Sequence, residues 1–170
     1  MWEAGLLARR VAAAPLAPGF LLLLPRPEGP AEANVDRLAA AGIAALVSLL
    51  PVAEARSLGL DIGTLGRVCT GLGIRFEHAP LPDFAVPDAA FERDWRGLAP
   101  ALRRLLAEGR GVAFHCRAGL GRSGTMAARL LIELGLRPEE AIARIRAARP
   151  GAIETAEQER HLLTFARPAL

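Results

Sequence analysis

At 170 residues, with 52% hydrophobic and only 5% aromatic residues, the chain is long enough for one domain with an aliphatic core and too short for two ordinary ones. That composition excludes disorder. The formal charge is +3 and all 21 basic residues are arginine; a GC-rich coding bias accounts for this first, and because the arginines are interleaved with acids rather than gathered in a run, nucleic acid is not an expected partner.

In chain order, Arg9-Arg10 and the apolar Leu21 to Leu24 faintly resemble an export signal, but Pro15, Pro18 and Gly19 interrupt the segment and no small-residue cleavage site precedes Pro25. The segment is read instead as a first strand, Phe20 to Leu24. Ala31, Val35, Leu38 and Ala39 form a helical stripe that Gly42 ends. Ile43 to Leu50 reads as a buried strand, and Pro51 to Gly73 as one or two short helices with weak points at Gly59, Gly63 and Gly66. Ile74, Phe76 and His78 alternate with Arg75 and Glu77, a strand with one apolar face; His78 falls on that face and is read as a hydrogen-bonded core histidine. The prolines of Ala79 to Pro87 predict an extended loop, followed by a long helix from about Asp88 to Glu108 with Pro100 inside it. Gly111 to His115 is a short apolar run suited to a central strand. Ala127, Leu130, Leu131 and Leu134 give an amphipathic helix, Pro138 opens another, and Thr155 with Gln158 forms a capping box for the last.

Strands alternating with helices predict an α/β fold: one domain over residues 1–170 with a core of about 18–167, a central mostly parallel sheet, helices on both faces, and a reactive loop after a central strand. No apolar run reaches the length of a membrane span, so no membrane contact is expected. Cys69 reads as a small buried filler, and a free Cys116 implies a reducing cytosol.

The stretch with most chemical content is His115-Cys116-Arg117-Ala118-Gly119-Leu120-Gly121-Arg122-Ser123. Five residues between cysteine and arginine curl the backbone so that successive N–H groups of Arg117, Ala118, Gly119, Leu120, Gly121 and Arg122 converge, and the helix that opens at Arg122 adds its positive end. Such a cradle takes a tetrahedral oxyanion. Cys116 lies in the same field, which favours the thiolate that can attack phosphorus.

This nonapeptide resembles the signature of the cysteine-based protein phosphatases: His-Cys, five residues, Arg, then Ser or Thr. From about Val47 to Phe165, including Leu-Pro-Asp-Phe and Pro-Gly-Ala-Ile-Glu-Thr, the chain is similar to the small atypical dual-specificity phosphatases. The resemblance implies a single-domain cysteine-phosphatase-like fold and a phosphomonoester hydrolase that passes through a phosphocysteine at Cys116, held by Arg122, with no metal and no cofactor. It implies Asp83 as the acid that protonates the leaving oxygen, whereas Asp88 is placed as a helix cap. Ser123 is expected to donate to the sulfur, and His115 to fix the loop. Glu154 is expected either to position the hydrolytic water or to be a surface glutamate favoured by the adjoining helix.

The expected partner is a phosphorylated protein or aryl phosphate, bound by a monomer. With no tyrosine in the chain, the aromatic clamp of the larger tyrosine-specific relatives is absent. Phosphotyrosine is expected as a substrate, and phosphoserine or phosphothreonine stays open. The absence of lysine counts against phosphoinositides. Two other classes fit a loop cysteine: a non-catalytic phospho-ligand module and a rhodanese-like sulfurtransferase.

Overall fold

A computed structural model describes residues 10–165 of the chain. Five strands form one sheet in the order β1-β2-β5-β3-β4. These are β1 Arg10–Ala12, β2 Phe20–Leu24, β3 Ile43–Ser48, β4 Arg75–His78 and β5 Gly111–His115. All pairings are parallel except β1 with β2. The mostly parallel α/β sheet expected from the sequence is therefore present, with β5 at its centre. The strand β1 was not anticipated. It is three residues long and pairs only at the edge, too short for a period-2 pattern to declare itself. Arg9 of the suspected export segment lies outside the described residues, and its apolar end, Leu21 to Leu24, is buried in β2.

The helices are α1 Ala31–Ala40, α2 Val52–Ser57, α3 Ile62–Gly71, α4 Ala89–Ala107, α5 Gly121–Glu133, α6 Pro138–Ala148 and α7 Ala156–Leu163. Alternating strand residues divide the core into two layers. Leu21, Leu23, Val112 and Phe114 face the layer that holds Trp95 and Leu102 of α4 and Leu130 of α5. Phe20, Leu22, Leu24 and Ala113 face Val35 and Leu38 of α1 and Leu65 and Cys69 of α3. In β3 the pairing with β5 slips between Ile43 and Ala45. That one extra residue puts Ile43 on the second layer and Ala45 on the first although they are two apart.

Three local expectations need adjustment. The ladder of β3 ends at Ser48, and Leu49 and Leu50 continue as buried loop, with Leu49 N–H donating to His115 O at 2.9 Å. Gly59 does separate α2 from α3, but Gly63 and Gly66 lie inside α3. Gly66 is a contact residue rather than a break, since a Cβ there would lie 2.9 Å from the Phe76 ring. Finally, α5 is buried along its whole length, not only on the stripe through Ala127, Leu130 and Leu131. Its polar side is covered by α4, through a network in which Arg129 meets Glu92 and Glu133 while Trp95 Nε1 and Arg103 donate to Glu133.

Candidate active site

β5 ends at His115 and α5 starts at Gly121, so the expected reactive loop lies between a central strand and a fully buried helix. The loop is fixed by its carbonyls. Arg117 O accepts from Arg26 N at 3.1 Å, Ala118 O from Arg149 Nη2 at 3.1 Å, Leu120 O from Gly124 N at 2.9 Å, and Gly121 O from Thr125 Oγ1 at 2.8 Å. Across a trans peptide the next N–H points opposite to the carbonyl. The N–H groups of Ala118, Gly119, Gly121 and Arg122 therefore point to the sides opposite these anchored carbonyls. Gly119 shows the result directly: its N–H donates to Cys116 Sγ at 3.2 Å. It has φ +71, and a Cβ would lie 2.5 Å from the Leu24 carbonyl carbon, so only glycine fits.

Cys116 is 3% exposed and a free thiol, as is Cys69. Cys69 is wholly buried on the other face of the sheet, and burial pushes its thiol up to about 11, which fits an inert filler. His115 is also wholly buried. Burial pushes its imidazole down to about 3, against a hydrogen bond with the Cys116 backbone that pulls the other way. Burial thus favours its neutral form. Ser123 is buried on the first turn of α5, its hydroxyl without a hydrogen-bond partner.

Arg122 is 1% exposed and gripped from one side. Nη1 and Nη2 donate to the two carboxylate oxygens of Glu54 at 2.7 and 2.8 Å, and Nη1 also to Leu81 O at 3.2 Å. Nη2 lies 3.1 Å from Asp83 Oδ1. Nε is buried and has no partner. Burial pulls the guanidinium pKa down, but the Glu54 hydrogen bonds and the charges of Cys116, Glu54 and Asp83 outweigh it and hold it above the ordinary value. Reciprocally, the Arg122 hydrogen bonds hold the Glu54 carboxyl below the usual range, with help from the charge of Arg117. Glu54 was missed by the sequence reading. It sits 68 residues from Arg122 on a short helix with no motif of its own, and its one visible signal was an acid placed just after a strand end.

Asp88 caps α4, accepting from Phe91 N at 2.8 Å. Asp83 reaches the loop arginine and accepts from Phe84 N at 3.2 Å. Glu154 is exposed next to the start of α7, and its Oε2 accepts from Gly121 N of the loop at 2.7 Å. Among the described residues, the only non-glycine positions with left-handed backbone are Phe84, after Asp83, and Ile153, before Glu154. Strained backbone thus adjoins Asp83 and Glu154, two of the three acids that reach Arg122 or the loop, and not Glu54. Of the remaining loop side chains, Arg117 is exposed. His78 is a part-buried hydrogen-bonded histidine as read, donating Nε2–H to Leu50 O at 2.8 Å. Among the described residues no helix is long and apolar enough to cross a membrane.

A family model described as "Polymorphic toxin system, DSP-PTPase phosphatase" matches residues 23–136, a span containing Glu54, Asp83 and the whole loop. The human protein tyrosine phosphatase type IVA 3 is 42% identical over 83 residues, covering 49% of this chain and 47% of that protein. The rat cyclin-dependent kinase inhibitor 3 is 38% identical over 96 residues, covering 55% and 44%. The chain matches about half the length of these curated relatives. Among solved structures, kinase associated phosphatase with its catalytic-site cysteine changed to serine superposes with a TM-score of 0.78 at 26% identity, covering 91% of this chain and 90% of that one. Tk-PTP in the active form superposes with a TM-score of 0.65 at 28% identity, covering 95% of each.

Proposed function

This chain belongs to the DSP-PTPase phosphatase family of polymorphic toxin systems, and from that premise we propose that it is a phosphomonoester hydrolase of the protein-tyrosine and dual-specificity class, working through a phosphocysteine. The observation that carries the reading is the ring of outward-anchored carbonyls with Gly119 N–H on Cys116 Sγ. It makes a cradle of inward amides above a sulfur at the N-terminus of a buried helix.

A phosphoryl group enters with its oxygens on the loop amides and on Arg122 Nε, the one guanidinium nitrogen left without a partner. Cys116 Sγ attacks phosphorus in line, the bond to the leaving oxygen breaks, and Asp83 hands that oxygen a proton. Glu54 aims Arg122 by holding both terminal nitrogens. In the second step water attacks the phosphocysteine and gives its proton to the Asp83 carboxylate left by the first step, the S–P bond breaks with Ser123 donating its hydroxyl to the departing sulfur, and Glu154 lies close enough to the loop to hold the water. His115 positions the strand end from which the loop springs. Aryl phosphates, phosphotyrosine in a protein among them, are the proposed substrates, and no step calls for a metal or cofactor. The reading calls for a reducing compartment such as the cytosol, in which Cys116 remains a thiol, and for action as a monomer.

Hydrolysis of p-nitrophenyl phosphate with chelator present tests the proposal: the wild-type chain turns over and Cys116→Ser falls to background. Turnover surviving in Cys116→Ser would remove the nucleophile. Asp83→Asn is expected to slow aryl phosphates with poor leaving groups by about 100-fold and activated ones far less; equal slowing of both would reassign the acid.

A further inference from the structure

Three donors of the loop are held by the protein's own side chains. Gly119 N–H meets Cys116 Sγ at 3.2 Å, Arg122 Nη2 meets Asp83 at 3.1 Å, and Gly121 N–H meets Glu154 Oε2 at 2.7 Å. The first two involve a nucleophile and an acid that the reaction requires beside the phosphoryl group. The third has a different consequence. The Leu120 carbonyl points down the helix onto Gly124 N, so Gly121 N–H points out of the helix end into the cradle. A phosphoryl oxygen and the Glu154 carboxylate compete for the same proton.

The carboxylate is delivered by a fixed main chain. Ile153 before it is 3% exposed with φ +61, its N–H donates to Leu120 O at 3.4 Å and its carbonyl accepts from Arg146 Nη2 at 3.2 Å. The N–H of Glu154 itself donates to Oε1 of the fully buried Gln158 at 3.0 Å. What stays adjustable is the side-chain torsion of Glu154. A left-handed β-branched residue directly before the carboxylate is a costly way to build a surface turn, and it sets the position from which the carboxylate reaches the loop.

Building on the phosphatase reading, we propose that Glu154 is an exchange ligand of the phosphate loop. It holds the Gly121 amide in the resting enzyme and cedes it to the phosphoryl dianion on binding. After hydrolysis it takes the amide back, which speeds the departure of inorganic phosphate. The displaced carboxylate remains beside the site, where it also repels the product. Every tetrahedral anion is therefore bound more weakly than the cradle alone would bind it, because the charge-assisted bond to Glu154 must first be given up.

Inorganic phosphate is the probe. Its inhibition of p-nitrophenyl phosphate hydrolysis is measured for the wild type and Glu154→Gln, and it is titrated calorimetrically into Cys116→Ser with and without Glu154→Gln. Removing the charge is expected to tighten phosphate binding about tenfold in both formats. KM should fall by a similar factor, and kcat should fall rather than rise as product release slows. Glu154→Asp, one methylene too short to reach Gly121 but still charged, should bind phosphate more tightly than the wild type and less tightly than the glutamine variant. Phosphate binding that is unchanged or weaker in Glu154→Gln, or wild-type behaviour in Glu154→Asp, overturns the exchange. Since the calorimetric arm needs no turnover, a chain that binds phosphate but never hydrolyses the ester would defeat the phosphatase reading separately.

Discussion

Helix α5 carries two arginines seven residues apart, Arg122 and Arg129, and their contrast separates a site from a scaffold. Both are almost fully buried, at 1% and 2% exposure. Both donate through Nη1 and Nη2 to the two oxygens of a glutamate on another helix, Glu54 on α2 and Glu92 on α4. For Arg129 the third nitrogen is also used, since Nε donates to Glu133 at 3.0 Å and the guanidinium lies 3.7 Å over the Phe165 ring. Arg122 keeps its Nε without a partner. The same residue type, burial and bidentate pairing thus leave every guanidinium nitrogen satisfied in one case and one donor open in the other. Burial and ion pairing alone do not separate the two arginines. The open donor does, and the proposed phosphate contact uses it.

The contrast can be broken from either end. Arg122→Lys keeps the charge but loses the planar fork and Nε, and should lower kcat/KM for p-nitrophenyl phosphate by about 1000-fold with little change in the unfolding midpoint. If activity survives within tenfold, Nε is not the phosphate donor. Arg129→Met should do the reverse. It takes the ion-pair partner from Glu92 and leaves the buried Glu133 with Arg103 and Trp95 alone, and should cost about 3–5 kcal/mol in denaturant unfolding, while the folded molecules keep their kcat within about twofold. A large loss of kcat without loss of stability would show that the network between α4 and α5 reaches the chemistry.

The smallest expected effect concerns pH. His115 is held neutral down to about 3 in the folded chain, whereas an exposed histidine takes up a proton near 6.5. Below about pH 6.5 the unfolded chain binds a proton that the folded one refuses, so stability is complete above that pH and declines as the pH falls toward 3. The slope is about 1 kcal/mol per pH unit. His161, also lowered by burial, acts in the same direction. Glu54, lowered by its Arg122 hydrogen bonds, stabilises the fold above its unfolded value of about 4.5, and that contribution is lost as the pH drops through its lower folded value. Urea titrations at pH 7, 6 and 5 should show the decline, and His115→Gln should flatten it. An equal slope in that variant would place the refused proton elsewhere.

The reactive loop was legible in the sequence because its requirements are local. A cysteine, a glycine with positive φ, an arginine and a helix start must follow one another within a few residues, and the chain has no other way to write them. The caps were legible for the same reason, as Asp88 and the Thr155–Gln158 box show. Asp83 and Glu154 were found through family-like segments, but their contacts with Arg122 and Gly121 were not visible from spacing. Glu54 was not found, and β1 was too short to see. The even burial of α5 was hidden as well, because Thr125, Arg129 and Glu133 look like a solvated face until α4 and its carboxylates cover them.

What the amino-acid order determined by itself is the alternation of strands and helices, the turn that brings the Gly119 amide onto Cys116, and the caps of α4 and α7. Backbone sterics and hydrogen bonding within a few residues suffice for these. What only the tertiary structure decided is which charges meet. Helix α2 and two loops far apart in sequence converge on the N-terminus of α5 while α4 packs on its later turns, and the distances they leave determine that Arg129 is satisfied at every nitrogen, that Arg122 keeps one donor open, and that Glu154 reaches the Gly121 amide.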